Sequence, residues 1–398
     1  MPVLSIKDML QHACDNGYIV ASFEVNSLDI AQAVITVAER NHAPVILSLN
    51  EQKFDRRSLK IFLAAIETAA CESVAPVAIE YYRARQLDKI IHAINSGCNA
   101  VMLDTQHESL RNSTAHIRQI VNMAHDCGIV VEGHLVQGMD IKDVKRYVAK
   151  TDIDSLRISP YGIHGWGTDA SLLDYASIDK LNKALHIPLT INANTDIQEN
   201  QYQRLIEHGI AKIDYGSAIY NTAASLTYNA IRSDKNSVHA MTKDIRNIFS
   251  NEVESCLCLG KSTGQAASLM KHYRSWRPVE HLIIYNVEGL TEDEVAAMTE
   301  KGRNILSRIP GVREVVTATA LKSDVKYRYS WLIRFCHPAV IDSYREHPLH
   351  IAFADELFRP VAGDRISIDY QWDVSAIGRQ AIDSQDTHLK PDLPAISC

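Results

Sequence analysis

The chain has 398 residues, 46% hydrophobic and 22% charged, a globular composition in a length that one core rarely organises. Forty-one Lys and Arg against 48 Asp and Glu give a formal charge of −7, which counts against a nucleic-acid or anionic-membrane partner. No apolar run approaches the ~20 residues of a membrane span, and MPVLSIKDMLQ lacks the basic and apolar regions of a secretory signal, so a cytoplasmic location is expected.

The first 235 residues alternate apolar runs with amphipathic stretches. The runs are YIVASF (18–23), PVILSL (44–49), PVAIEY (76–81), NAVMLD (99–104), GIVVEGHL (128–135), DSLRIS (154–159), IPLTIN (187–192) and GIAKID (209–214). Short Val-, Ile- and Leu-rich runs of this kind predict parallel strands buried on both faces. Between them DIAQAVITVAER (29–40), ARQLDKIIHAINSG (84–97) and NSTAHIRQIVNMAHDCG (112–128) predict helices, the last two ended by Gly. Eight strand–helix units predict a closed (β/α)8 barrel, and the absence of GxGxxG after the first strand counts against a dinucleotide fold. Helices closing the barrel are expected over 233–275.

The pattern then changes. HLIIYNV (281–287), a helix over 292–309, REVVTATAL (313–321), RYSWLIRFC (328–336), helices over 338–347 and 350–361, and RISIDYQW (365–372) give a β-α-β-β-α-β order. That order is ferredoxin-like. The expected domains are a TIM barrel over 1–275, an α+β domain over 279–373 and a polar tail over 374–398. The eight cysteines form no CxxC, and reduced packing thiols are expected.

The first domain resembles the class II fructose-bisphosphate aldolases over about residues 1–270. The resemblance is carried by GYIVASFEVNSLDIAQAVITVAERNHAPVIL, GCNAVMLDTQH, AHDCGIVVEGHL, GIHGWG and GIAKIDYGSAIYNTA. It implies a zinc-dependent aldol reaction, with the metal polarising a ketone carbonyl at the C-terminal ends of the strands. Residue by residue, most of that equipment is replaced. The family's His-Leu-Asp-His stretch falls on Glu80-Tyr81-Tyr82-Arg83, so Tyr82 stands for the catalytic Asp and Arg83 for a zinc His. The ligand Glu of strand five falls on His134, while the upstream Glu is kept as Glu132. The zinc His after strand six is kept as His164. His-Gly-Gly-Ser-Gly after strand seven becomes Asn192-Ala193-Asn194-Thr195-Asp196, and the phosphate element after strand eight becomes Asp214-Tyr215-Gly216-Ser217.

The replacements remain polar, which points to changed chemistry at the same place. The candidate catalytic residues are Arg83, Tyr82, His134, His164 and Glu132, with Glu24, Asn50, Asn192, Asn194, Asp214 and Ser217 lining a substrate site. Arg83 either binds a substrate anion or forms an ion pair with Glu80 or Glu132. Arg157 either acts in the same way or partners a neighbouring acid. Tyr82 either gives a proton or packs and hydrogen-bonds. His134 and His164 are the two residual metal-ligand candidates. Asp104 or Glu132 could add a third ligand, but two histidines do not close a zinc shell, so the ligand count speaks against zinc.

The second domain resembles the stress-responsive dimeric α/β-barrel (Dabb) family over about 279–372. His281, PGV (310–312), Tyr344 with HPLH (347–350), and Asp369-Tyr370 carry that resemblance. In a plant cyclase of that family the residues matching Tyr344 and His350 act as acid and base. The family resemblance implies a homodimer through the C-terminal domain. The function expected is aldol-type C–C lyase chemistry, in carbohydrate metabolism, on a small anionic metabolite other than fructose bisphosphate. The alternatives are a non-catalytic ligand-binding and dimerising protein, or cyclase-type chemistry in the second domain.

Overall fold

The computed structural model describes residues 3–105, 110–135, 139–159, 173–193, 197–216, 220 and 238–371. His164, Asn194, Ser217 and the expected tail lie outside the described residues. Eight parallel strands close a barrel in sequence order: β1 (Val20–Glu24), β2 (Val45–Asn50), β3 (Val77–Ala84), β4 (Ala100–Leu103), β5 (Val130–His134), β6 (Ser155–Arg157), β7 (Leu189–Asn192) and β8 (Ile210–Tyr215). Closure comes from β1 pairing with β8, where Val20 is opposite Lys212 and Ser22 opposite Asp214.

Helix α1 (Ile6–Asn16) precedes the barrel, and α2 (Leu28–Arg40), α3 (Arg56–Glu72), α4 (Leu87–Ser96), α5 (Leu110–Asp126), α6 (Ile141–Thr151), α7 (Tyr175–Ala184) and α8 (Glu199–Glu207) cross between strands. At α2, α3, α6 and α7 the starts follow from short polar side chains that accept otherwise unbonded first N–H groups. Ser27 accepts from Ile30, and Asp140 from Asp143. Asp55 and Ser58 form a reciprocal pair at the start of α3. The expected glycine stops occur at Gly97 (φ 122°) and Gly128 (φ 72°), backbone conformations that a side chain would strain.

Every second residue of a strand points inward. The lower inward layer is apolar: Val20, Ile46, Ala78, Ala100 and Val130, joined by Ala211 where the β7–β8 register slips by one residue. These pack on Leu4, Met9, Leu10 and Tyr18, and on Leu269 of α10 (Ala266–His272). Before α10 runs α9 (Val238–Leu259), packed on α2. The N-terminal end of the barrel is thereby stoppered, each buried Leu or Met contributing ~1.5–3 kcal/mol. Polar inward residues begin one layer higher and continue to the C-terminal mouth.

The second domain is an antiparallel sheet of β9 (Val279–Val287), β10 (Val312–Thr319), β11 (Tyr329–Phe335) and β12 (Ala362–Gln371), in the order β10-β11-β9-β12. Helices α11 (Glu292–Leu306), α12 (Val340–Glu346) and α13 (Pro348–Phe353) belong to the same domain. Tyr285, Trp331, Ile333 and Phe335 from the sheet pack with Leu306, Tyr344, Phe353 and Phe358 in its core. The expected helix over 350–361 is instead α13 followed by a wider π-type turn, Ala354–Phe358, which seats Phe358 against Tyr285. The outer sheet face carries Val316, Ile366, Ile368 and Tyr370, between 39% and 46% exposed.

The two domains meet along α3, α4 and α5. Arg313 of β10 bonds both oxygens of Glu67 at 2.6 and 2.5 Å. Asn95 accepts from the Gly311 N–H and donates to the Ile309 carbonyl. Among the described cysteines six are free thiols, as expected, while Cys258 is disulfide-bonded, against expectation.

Candidate active site

A buried charge network fills the middle of the barrel. Lys212 on β8 is fully buried and its Nζ lies 2.7 Å from Glu80, 2.9 Å from Glu132 and 3.2 Å from Asp214. Arg157 on β6 lies 3.3 Å from Glu132 and pairs with Asp214 through its other end. Ser48 donates to Glu80 at 2.9 Å and shares a 2.6 Å bond with Ser22. Charges this deep are tolerated only when paired. Burial raises the Glu80 carboxyl above the usual carboxylate range. Burial also works against the charged form of Glu132, but Lys212 and Arg157 outweigh it and hold that carboxyl low.

Above the network sits the mouth. Arg157 donates to the Tyr82 hydroxyl at 2.8 Å, and Asn192 donates to it at 3.3 Å. Both oxygen lone pairs are thus taken, so Tyr82 can act on a further group only by donating its proton. His134 ends β5 beside Arg157, across the β5–β6 pairing. Burial, with the Arg157 charge second, lowers its imidazole to about 4, leaving a neutral ring at pH 7. On β1 and β2, Asn50 reaches Glu24 at 3.4 and 3.5 Å, the outer limit of hydrogen bonding.

Arg83 differs from its neighbours. It is one of four non-glycine residues with positive φ among those described, at 54°. It lies where the β3–β4 register slips between Tyr81 and Ala84. Such bulges re-aim a side chain, and a non-glycine residue held there costs ~1–3 kcal/mol. Its guanidinium carbon is 5.5 Å from the Tyr82 ring centre, and among the described residues it has no hydrogen-bond or ion-pair partner. The turn beyond it is braced. Glu51, buried after β2, accepts the Arg85 N–H at 2.9 Å and the Gln86 N–H at 3.5 Å. The Arg85 side chain holds Asp104 at 2.7 Å.

The class II fructose-bisphosphate aldolase family model matches residues 4–265, about two thirds of the chain. The chain belongs to this family. The Stress responsive A/B Barrel Domain (Dabb) model matches residues 279–372. Among solved structures, the YdjI aldolase from Escherichia coli K12 is 22% identical with a TM-score of 0.61, covering 66% of this chain and 99% of that one. A putative fructose-1,6-bisphosphate aldolase from Coccidioides immitis is 19% identical (TM-score 0.58, 65% of this chain and 97% of that one). Fructose-bisphosphate aldolase from Campylobacter jejuni is 14% identical (TM-score 0.56, 66% of this chain and 96% of that one). At these identities the likeness shows the barrel fold.

The described residues of this aldolase-family barrel do not fit a zinc ion. Zinc takes three ligands of the His, Glu or Cys kind and an open position. Among the described residues the mouth offers one neutral imidazole, His134, while two guanidinium groups, Arg83 and Arg157, flank Tyr82. Glu132 and Asp214 are already engaged by Lys212 and Arg157. Among the described residues no three His, Cys, Asp or Glu side chains gather to hold a metal.

The structure brings Tyr82, Asn192, Arg157 and Asp214 into one bonded group, and Glu24 with Asn50 into another. Arg83 does not form the ion pair with Glu80 or Glu132 that one reading allowed. Lys212 and Arg157 take those carboxylates. Lys212 is the residue that sequence reasoning passed over. Its signal was there: in GIAKID it shares the inward period with Asp214, and a charge inside an apolar strand must be paired.

In the second domain Tyr344 and His350 do come together, ring centres 4.4 Å apart, with His281 held at 2.7 Å by Asp369. Burial pushes the Tyr344 phenol up and the His350 imidazole down, so both are neutral.

Proposed function

We propose that the barrel is an aldol-type C–C lyase for a small anionic metabolite other than a bisphosphate, with a guanidinium rather than zinc stabilising the reacting charge. The observation that carries this is Arg83: a permanent cation on strained backbone, with no hydrogen-bond or ion-pair partner among the described residues, at the position where the family has a zinc histidine. In retro-aldol cleavage a base takes the β-hydroxyl proton, the Cα–Cβ bond breaks to release an aldehyde, and its electron pair moves onto the enolate oxygen. Arg83 faces that oxygen or a neighbouring anionic group. The neutral His134 ring takes the proton, and Tyr82 returns one to carbon. Glu132 and Asp214 act through Arg157, which they fix in place; Glu132 is on this reading a positioning residue. Asn50, Asn192 and Glu24 hold substrate hydroxyls or nitrogen. His164, Asn194 and Ser217 keep the binding roles that their sequence positions give them.

The test is aldehyde release from β-hydroxy acids and sugar acids, with metal content measured on the same sample. Cleavage is expected with substoichiometric zinc, and Arg83→Met is expected to lower kcat/KM by ~10²–10³-fold, the scale of losing one oxyanion donor. Stoichiometric zinc in active protein, or unchanged turnover in Arg83→Met, overturns the reading.

The Tyr344–His350 contact favours a second reading, a cyclase-type acid–base site in the second domain. That reading predicts loss of turnover in His350→Ala with Arg83→Met unaffected. We further propose that the protein is a cytoplasmic enzyme of carbohydrate metabolism that pairs as a homodimer through the open sheet face of the second domain.

A further inference from the structure

Among the described residues, the charges at the barrel mouth are almost all matched. Asp104 has Arg85 at 2.7 Å, Asp214 has Arg157 and Lys212, and Arg157 has Glu132 as well. Among the described residues of this ring, two charged groups are left without an opposite charge. Arg83 at the end of β3 has no polar partner, and Glu24 at the end of β1 has only the long, neutral contacts from Asn50. Gly216 packs against the carboxylate: a Cβ there would lie 3.3 Å from Glu24 Oε2. Tyr220 donates to the Glu24 backbone carbonyl at 3.0 Å rather than to its carboxylate.

We propose that the barrel mouth binds a zwitterionic substrate, its anionic group on Arg83 and an ammonium group on Glu24, with Asn50 of β2 between them. This rests on the reading of the mouth as a substrate site and specifies that substrate's charge pattern. A half-buried carboxylate met only by weak amide contacts gains most from a charged donor, because charge-assisted hydrogen bonds are shorter and about twice as strong as neutral ones. A substrate carrying only negative charge satisfies Arg83 but meets repulsion from Glu24. A substrate with both charges satisfies each without leaving a charge unmatched. Two strand spacings separate β1 from β3, about 10 Å. The reach of the two side chains shortens that to the length of a small aliphatic molecule.

A four-carbon series that differs only in end charge tests this: 4-aminobutyrate, succinate and 1,4-diaminobutane, titrated against the full chain by calorimetry and thermal shift. The expected result is an apparent affinity for 4-aminobutyrate about tenfold or more above the other two, a difference of ~1.4 kcal/mol or more. Glu24→Gln is expected to abolish that preference and bring succinate level with 4-aminobutyrate. Arg83→Met is expected to remove binding of both carboxylates. Succinate binding the wild type as well as 4-aminobutyrate does, through Arg83, overturns the zwitterion and leaves the anion site standing. Carboxylate binding indifferent to Arg83 overturns both. No 4-aminobutyrate binding at millimolar concentration also overturns the zwitterion, and the wild-type panel decides this even if a variant fails to fold.

Discussion

Arg83 holds a conformation that glycine adopts without strain, so its side chain is kept at the expense of stability. Arg83→Gly is therefore expected to raise the unfolding free energy by about 1 kcal/mol while removing carboxylate binding. Denaturant titration with a binding assay on the same protein checks both halves; a less stable variant would show that the bulge is not strained. Sequence placed Arg83 at a strand end but could not say whether it was paired. That depended on which of three cations reached Glu80 and Glu132, a contest between strands that lie far apart in sequence. Lys212 wins because it points straight into the barrel one layer below the mouth, and Arg157 wins because it bridges Glu132 and Asp214.

At the scale of elements, the eight barrel strands were legible because burial on both faces demands continuous apolar runs. Their ends were less so. The sequence put helix α4 at residue 84, yet β3 continues through the bulge to Ala84 and α4 begins at Leu87. The reason is Glu51, whose carboxylate takes the Arg85 and Gln86 N–H groups and so fixes where the helix starts. No local pattern announces a cap that comes from 34 residues away. In the second domain, the alternation of β12 leaves Ile366, Ile368 and Tyr370 on the uncovered face, beside Leu282 and Ile284 of β9. An exposed apolar sheet face marks an association surface. Ile368→Lys is expected to convert a dimer to monomer without a large change in the fold, read by light scattering and circular dichroism. A monomeric wild type removes this use of the face.

The molecule as a whole should lose stability in mild acid. The folded His134 sits at about 4, against a usual histidine value near 6.5, because burial disfavours its charged form. The sign follows: the unfolded chain takes up the proton first, so this contribution is complete above ~6.5 and falls as pH drops toward 4, by at most ~1.4 kcal/mol per pH unit. His12, bonded at both ring nitrogens, is also lowered by burial and adds in the same direction. His125 opposes them. Its bond to Asp154 raises it, and that contribution weakens as pH rises past its folded value. Urea midpoints between pH 7 and 4.5 are expected to fall, and less steeply in His134→Asn. An identical slope in the variant would show that the ring is not kept neutral by the fold.

Length and the change of pattern after the eighth strand pointed to a barrel followed by a second α+β unit, but nothing in the sequence showed how closely the two are joined. The Trp276 and His337 rings meet tilted at 4.4 Å and the Trp276 backbone N–H donates to the Val3 carbonyl, while Glu67 and Asn95 on the barrel's outer helices are completed by Arg313 and Gly311. A Cβ at Gly128 would lie 2.3 Å from the His337 ring, so α5 ends in glycine partly to admit the other domain. The barrel has thus acquired surface chemistry that makes sense only with its companion in place. The second domain is thereby tied to α3, α4 and α5, the outer helices that follow the second, third and fourth strands of the mouth.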